Sequence, residues 1–310
     1  HQTSVSVSLG LAQVTEHSED ISSLMQAAES SCDIAKQTGG NRLQLFYASN
    51  AKLSQRKGII SWVTKIDDIL DNDGLELRCQ RIQPIGTAPG EIEHVHYEIL
   101  LGLKSDRENL PSIQEFIEAA EYSNRIGHID RWVVKTVLKW ISENEQVLDI
   151  VNAFSINLSG KSLSDEKFID FVLEQIEENN VPAECLCFEI TETAGVENLS
   201  DAAYFINTIK DTGCGFSLDD FGSGMSSYAY LRDLPVDYLK IDGMFIKNIV
   251  NSDSDYAVVK SITEVAHFMG KRVIAEYVEN DEIVNVLNKI GVDFAQGFGI
   301  DKPHLIEELI

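Results

Sequence analysis

The sequence predicts an α/β protein whose main body, residues 75–310, is a (β/α)8 TIM-like barrel, with a short α+β segment ahead of it. Three observations carry this expectation. Short apolar runs, eight in all, alternate with helical patterns from Leu75 onward, which matches the rhythm and size of a barrel. No Gly-x-Gly-x-x-Gly follows any run, which counts against a doubly wound dinucleotide-binding sheet. Nearly every run also holds or ends in an acidic, amide or lysine side chain, and barrels carry their chemistry at the carboxyl ends of strands.

Residues 1–48 read as a strand at Val5 to Leu11, a helix with Ile21, Leu24, Ala28, Cys32 and Ala35 at its apolar positions, and a second strand ending in Leu43 to Phe46. Two strands and one helix cannot enclose a core, so this segment is a remnant of something larger. Residues 49–74 space Ile59, Ile60, Val63, Ile66, Ile69 and Leu70 as a connecting helix, which Asn72-Asp73-Gly74 ends. The barrel runs follow at Leu75–Ile85, His94–Leu103, Phe154–Leu158, Cys185–Ile190, Phe216–Leu218, Tyr238–Ile241, Val273–Ala275 and Phe294–Phe298. Between them, Asp165–Glu178 and Tyr256–Met269 repeat apolar residues at helical spacing, and Ser112–Glu143 has room for two helices.

Charge narrows the function. With 25 Lys+Arg against 50 Asp+Glu the net charge is -25, which excludes binding long nucleic acid through its backbone. A small phosphorylated ligand stays compatible if metal ions offset the carboxylates. No apolar run reaches the roughly 18–20 residues that cross a bilayer. The chain reads as a soluble cytoplasmic piece of a longer protein, since it starts without Met, and a membrane anchor in the parent stays open. Its five cysteines have no paired zinc spacing and read as reduced core residues. His94 and His96 share a strand face without a third ligand, and read as solvated or partly packed.

The chemistry concentrates at the run ends. Phe216-Ser217-Leu218 runs into Asp219-Asp220, and adjacent carboxylates at a strand tip repel each other unless a hard cation holds them. Phe221-Gly222-Ser223-Gly224 follows as a tight rim loop; taken alone, the motif would be an ordinary turn with Asp220 as a helix cap. A mouth lined by Glu98, Asn157, Glu189, Asp219 and Asp220 offers oxygen ligands for Mg²⁺ or Mn²⁺, and one aspartate can bridge two ions roughly 3.5–4 Å apart. Lys240 and Glu276 are candidates to orient or deprotonate an attacking water. Ca²⁺, larger and less able to acidify water, is expected to inhibit.

These residues closely resemble the EAL family of cyclic di-GMP phosphodiesterases from about Leu75 to the C-terminus. The matching motifs are Tyr97-Glu98-Ile99-Leu100-Leu101, Ser155-Ile156-Asn157-Leu158-Ser159, Phe188-Glu189-Ile190-Thr191-Glu192, Asp219 to Gly224, Leu234 to Asp242, Ala275-Glu276-Tyr277-Val278-Glu279 and Gln296-Gly297-Phe298. The resemblance implies a barrel with one antiparallel strand, cyclic di-GMP as substrate and linear pGpG as product. It implies Glu98, Asn157, Glu189, Asp219 and Asp220 as metal ligands and Lys240 and Glu276 as handlers of the water. Glu192 would hold the loop after Asp220, Glu279 and Gln296 would support the site, and Gln80 and Leu100 would lie at the ligand. Ala35-Lys36 and Gly39 to Arg42 in the leading segment resemble the tail of a GGDEF domain, which implies an upstream GGDEF or sensor module in the parent.

The chain departs from the family pattern at four places. Gly102 stands where an Arg usually follows Glu-x-Leu-Leu, so a guanidinium for a ligand phosphate is missing there, and Arg81, in place of the usual Pro, is a candidate to reach the vacancy. Tyr277 replaces a Gly, and Lys302 stands where Arg often precedes the last Pro. The alternative function is a weak or inactive domain serving as a cyclic di-GMP receptor or dimerisation module, with the Asp220 to Tyr230 loop at a homodimer interface. A glycosidase-like barrel is weaker, because paired carboxylates explain neither Asn157 nor Lys240.

Overall fold

The computed structural model describes residues 7–11, 25, 28, 31–32, 43–45, 65–86, 95–104, 112–197, 199–222 and 228–310. The chain forms two compact units, His1–Lys65 and Ile66–Ile310. In the first, β1 (Leu9–Leu11) and β2 (Leu43–Leu45) pair in parallel with Leu9 opposite Leu43. Most of the helix read between them, the GGDEF-like Ala35-Lys36 and Gly39 to Arg42, and residues 49–64 of the connecting helix lie outside the described residues. Residues 65–71 are helical, and Ile66 and Ile69 are buried in the second unit.

The second unit is a closed barrel. Its strands are β3 (Leu75–Pro84), β4 (His96–Leu103), β5 (Ala153–Leu158), β6 (Leu186–Thr191), β7 (Gly215–Phe221), β8 (Tyr238–Ile241), β9 (Arg272–Ala275) and β10 (Phe294–Gln296). Each pairs with its successor; β4 to β10 run parallel, and β3 is antiparallel to both β4 and β10, closing the circle. A ninth strand, β11 (His304–Leu305), pairs with the Arg78–Cys79 stretch of β3. The barrel and its single antiparallel strand agree with the fold read from the sequence.

Strand alternation divides the barrel's two faces cleanly. Outward positions are apolar and sit under helices: Phe188 packs on Phe216 at 5.7 Å between ring centroids, Phe216 on Phe205 at 6.1 Å, and Phe205 on Phe168 at 6.2 Å. Phe168 belongs to helix Glu166–Asn179, which Asp165 caps through the Lys167 N–H, and Phe205 to helix Leu199–Lys210. Each such ring, fully buried, contributes about 1.5–3 kcal/mol. The interior is layered differently. Ile82, Ile274 and Phe294 form an apolar floor with Tyr238 against it, and the next inward layer holds Gln80, Glu98, Glu189, Lys240 and Gln296. Among the described residues, no helix is long and apolar enough to cross a membrane.

Three local readings are corrected. Strand β7 continues past Leu218 to Phe221, because a register shift between Leu218 and Phe221 absorbs the acidic pair without ending the strand. Strand β10 stops at Gln296, not Phe298, because Gly297 adopts φ +152°. His96 is not on a solvated face: it is 5% exposed in the barrel floor, stacked on Phe294 and edge-on to Tyr238. His94 lies outside the described residues.

The turn after β5, which follows Asn157, is held from helix Ile126–Glu143 by Asp130. This buried carboxylate accepts from the Ser159 N–H at 3.1 Å, the Ser159 hydroxyl at 2.6 Å and the Ser162 hydroxyl at 2.6 Å. Burial raises the Asp130 carboxyl above its usual range, and these donors oppose the rise. Asp130→Ala strands those donors, and a buried unsatisfied group costs about 1–3 kcal/mol. Urea denaturation is expected to show a loss of that size for Asp130→Ala and a smaller one for Asp130→Asn, whereas an unchanged midpoint for the alanine variant rules the role out.

Candidate active site

The centre of the barrel mouth is Lys240. On β8 the apolar Leu239 and Ile241 face the outer helices, so the alternation turns Lys240 into the lumen, where it is 0% exposed. Its Nζ lies 2.8 Å from Glu189, 3.0 Å from Glu276, 3.3 Å from Glu98 and 3.3 Å from Asp219. Those carboxylates come from β6, the turn after β9, β4 and β7, so four separate segments converge on one ammonium.

Around that centre the polar network is dense on the Glu98 side. Glu98 accepts from the Asn157 amide at 2.7 Å and from Gln296 Nε2 at 2.6 Å, and Gln296 Nε2 also donates to Gln80 at 3.1 Å. Gln80 in turn donates to the Asp301 carbonyl at 2.9 Å. Burial pushes the Glu98 carboxyl up, but the Lys240 charge and the donors Gln296 and Asn157 outweigh it and hold Glu98 below the ordinary range. On the other side, burial dominates: Glu189 and Glu276 are each pushed up to about 8, and Asp219 and Asp220 are raised. Burial likewise opposes the charge on Lys240, yet its carboxylate neighbours raise it well above its usual value, so the ammonium stays charged.

The acidic pair owes its shape to the backbone. Asp220 sits at φ +56° in the β7 irregularity, and Asp219, Asp220 and Glu276 each offer a carboxylate oxygen within 4.8 Å of the others. Glu189 Oε1 is buried with no hydrogen-bond partner among the described residues. An orphaned buried carboxylate oxygen beside clustered carboxylates and a single lysine suits an oxygen-seeking divalent cation, which would supply the missing positive charge.

The remaining expected residues separate into those inside and those outside this network. Glu192 accepts from the Gly222 N–H at 2.8 Å and from the Tyr230 hydroxyl, tying together the two ends of the segment whose residues 223–227 are outside the described set. Leu100 is half-buried on β4, two residues beyond Glu98 on the same face. Glu279 is exposed, and its side chain has no hydrogen bond to the carboxylate layer among the described residues. Tyr277 sits at φ +53°, where glycine is the unstrained choice. Its ring covers Gly243, where an added Cβ would come within 2.2 Å of it, and Lys247 Nζ lies over the ring, 4.1 Å from its centroid. Arg81 does not reach Gly102: it lies opposite Tyr97 on the outward face, while Gly102 pairs with Glu76. Sequence reasoning missed Tyr230 as the partner of Glu192 and Arg78 as the neighbour of Gly102. Tyr230 could have been suspected as a hydroxyl just beyond the rim loop, whereas Arg78 needs the strand register.

Comparison with known proteins places this site in a family. The EAL domain description matches residues 78–303. The chain is 35% identical over 299 residues to the cyclic di-GMP phosphodiesterase PdeB of Shewanella oneidensis, covering 96% of this chain and 34% of that protein. It is 34% identical over 254 residues to the cyclic di-GMP phosphodiesterase PdeF of Escherichia coli, covering 82% of this chain and 33% of that protein. The chain therefore spans about a third of the length of these relatives. Among solved structures, the PaMucR phosphodiesterase in its c-di-GMP complex superposes with a TM-score of 0.73 at 25% identity, covering 81% of this chain and 100% of that one. The matched residues take in all but the first strand residues of the closed barrel and the whole carboxylate layer at its mouth, and the chain belongs to the EAL-domain family.

Proposed function

We propose that this chain is a cytoplasmic, metal-dependent phosphodiesterase that hydrolyses cyclic di-GMP to linear pGpG. The observation that carries the reading is the cage of Glu98, Glu189, Asp219 and Glu276 around Lys240, joined by Asp220 and left with a partnerless oxygen on Glu189. Glu98, Asn157, Glu189, Asp219 and Asp220 would hold Mg²⁺ or Mn²⁺, and Glu276 lies close enough to Asp219 and Asp220 to share a cation with them. Such a cation, or a pair of them, neutralises phosphate charge and acidifies an attacking water.

The chain's own groups do the rest. Lys240 keeps the facing carboxylates at fixed distances and screens them from one another. Glu276, whose carboxyl burial raises above its ordinary range, lies 3.0 Å from the Lys240 ammonium and beside Asp219 and Asp220, where it is placed to orient the water. Gln80 and Gln296 fix the orientation of Glu98. Glu192 anchors both ends of the Asp220 to Tyr230 segment, which under this reading forms the homodimer contact and couples the barrel to a GGDEF or sensor module elsewhere in the parent. A receptor without turnover is the lesser reading, because every expected cation-binding residue is kept.

Hydrolysis followed by chromatography of pGpG tests the reading. Turnover is expected with Mg²⁺ or Mn²⁺, none in excess chelator, and none with Ca²⁺, which occupies the site without acidifying water as well. Full activity in chelator contradicts the proposal. Separately, Glu98→Ala and Asp219→Ala are each expected to leave under about 1% of wild-type kcat, a loss of about 2.7 kcal/mol or more in transition-state stabilisation. Their circular dichroism is expected to stay native, since both side chains face the mouth. A collapsed spectrum would mean that these residues build the fold and not the site.

A further inference from the structure

The inward column of β3 and β4 climbs from floor to rim in cross-strand pairs. Ile82 faces His96 in the floor, Gln80 faces Glu98 in the carboxylate layer, Arg78 faces Leu100 above it, and Glu76 faces Gly102 at the rim. Successive pairs on one face are two residues apart, about 6.8 Å along the strand. Arg78 therefore stands one step above Glu98, on the face that looks into the mouth, with 43% of its side chain exposed. Its Nε donates to Glu76 at 2.9 Å, and it has no other hydrogen-bond partner among the described residues.

Gly102 makes this arrangement possible. A Cβ there would lie 2.9 Å from Glu76 Cγ and 3.4 Å from Arg78 Nε. The space that a side chain at 102 would enter is thus occupied, from across the hairpin, by the Glu76–Arg78 pair. A carboxylate-lined mouth on a chain of net charge -25 repels an anionic ligand, so a guanidinium overhanging that mouth is well placed to offset the repulsion.

We propose that Arg78 is a specificity-determining anion clamp. Its free guanidinium edge donates to a phosphodiester group of the cyclic dinucleotide above the carboxylate layer, supplying from β3 the cationic fork that position 102 on β4 lacks. Guanidinium suits the task because its planar donors match two phosphate oxygens at once, which an ammonium cannot do. Glu76 holds the side chain in place before the ligand arrives and competes with the phosphate for it. The inference rests on the phosphodiesterase reading of the site.

The test compares Arg78→Ala, Arg78→Lys, Glu76→Gln and the double variant Arg78→Ala with Gly102→Arg. Each is assayed for KM and kcat with Mn²⁺, and for direct cyclic di-GMP binding with Ca²⁺. A contact remote from the attacked bond holds substrate and transition state alike, so it moves KM and not kcat. Arg78→Ala is expected to raise KM and Kd about 10- to 100-fold with kcat changed less than about threefold. Arg78→Lys is expected to fall between it and wild type, and Glu76→Gln to lower KM by removing the competitor. The double variant is expected to recover affinity lost in Arg78→Ala. Unchanged KM and Kd in Arg78→Ala overturn the clamp while leaving the phosphodiesterase reading intact. Wild-type protein that neither hydrolyses nor binds cyclic di-GMP overturns both. Wild-type protein that binds without hydrolysing contradicts the phosphodiesterase reading alone, and the Kd values then decide the clamp.

Discussion

One buried ammonium organises the working end of this molecule. Lys240 is fully enclosed and touches Glu98, Glu189, Asp219 and Glu276, and the charge of the group balances only if protons or cations make up the difference. Losing one of the four carboxylates leaves the ammonium still compensated, whereas losing Lys240 leaves buried carboxylates without their cation, a kind of loss that costs about 3–5 kcal/mol. The barrel is what makes such a cluster affordable in structural terms: strands β4, β6, β7 and β8 and the end of β9 deliver each group from a separate rigid segment, while their outward neighbours Phe188, Leu218 and Leu239 are buried beneath the helices. The apolar outer shell thus supports a polar interior in which four carboxylates share one ammonium.

Much of this was legible in the sequence, for a physical reason. Parallel strands buried on both sides read as apolar runs, and a charge within or just after such a run has nowhere to face but the lumen or the mouth. Lys240 after Tyr238-Leu239 and Glu189 after Phe188 are of that kind, and so is Asp219 after Leu218. The resemblance to a family added roles that alternation alone does not assign, such as that of Glu192, whose bonds to Gly222 and Tyr230 the structure shows.

What stayed hidden depends on register and backbone shape. Asp220 takes a left-handed conformation that Asp tolerates better than most residues, but an Asp is equally at home in an ordinary turn, so its residue type alone does not place the irregularity in β7. The neighbourhood of Gly102 is set by which residue of β3 pairs with which of β4, and the connecting residues do not reveal it; Arg81 was the nearer candidate in outline but faces the wrong way. His96 reads as solvated or partly packed, and its burial is hidden from the sequence because its aromatic partners Tyr238 and Phe294 come from β8 and β10, far away in sequence. Tyr277 shows the same limit: its positive φ is held by packing on Gly243 and Lys247, contacts from a segment some thirty residues away.

The central claim is that the carboxylates around Lys240 form a divalent-cation site. Electron paramagnetic resonance of Mn²⁺ titrated into the purified protein measures this without substrate or turnover. The account predicts saturable binding in the wild-type protein and its loss when Asp219 and Asp220 are both changed to Asn, with the fold retained by circular dichroism. Absence of saturable Mn²⁺ binding, or binding that survives the double substitution unchanged, would contradict it.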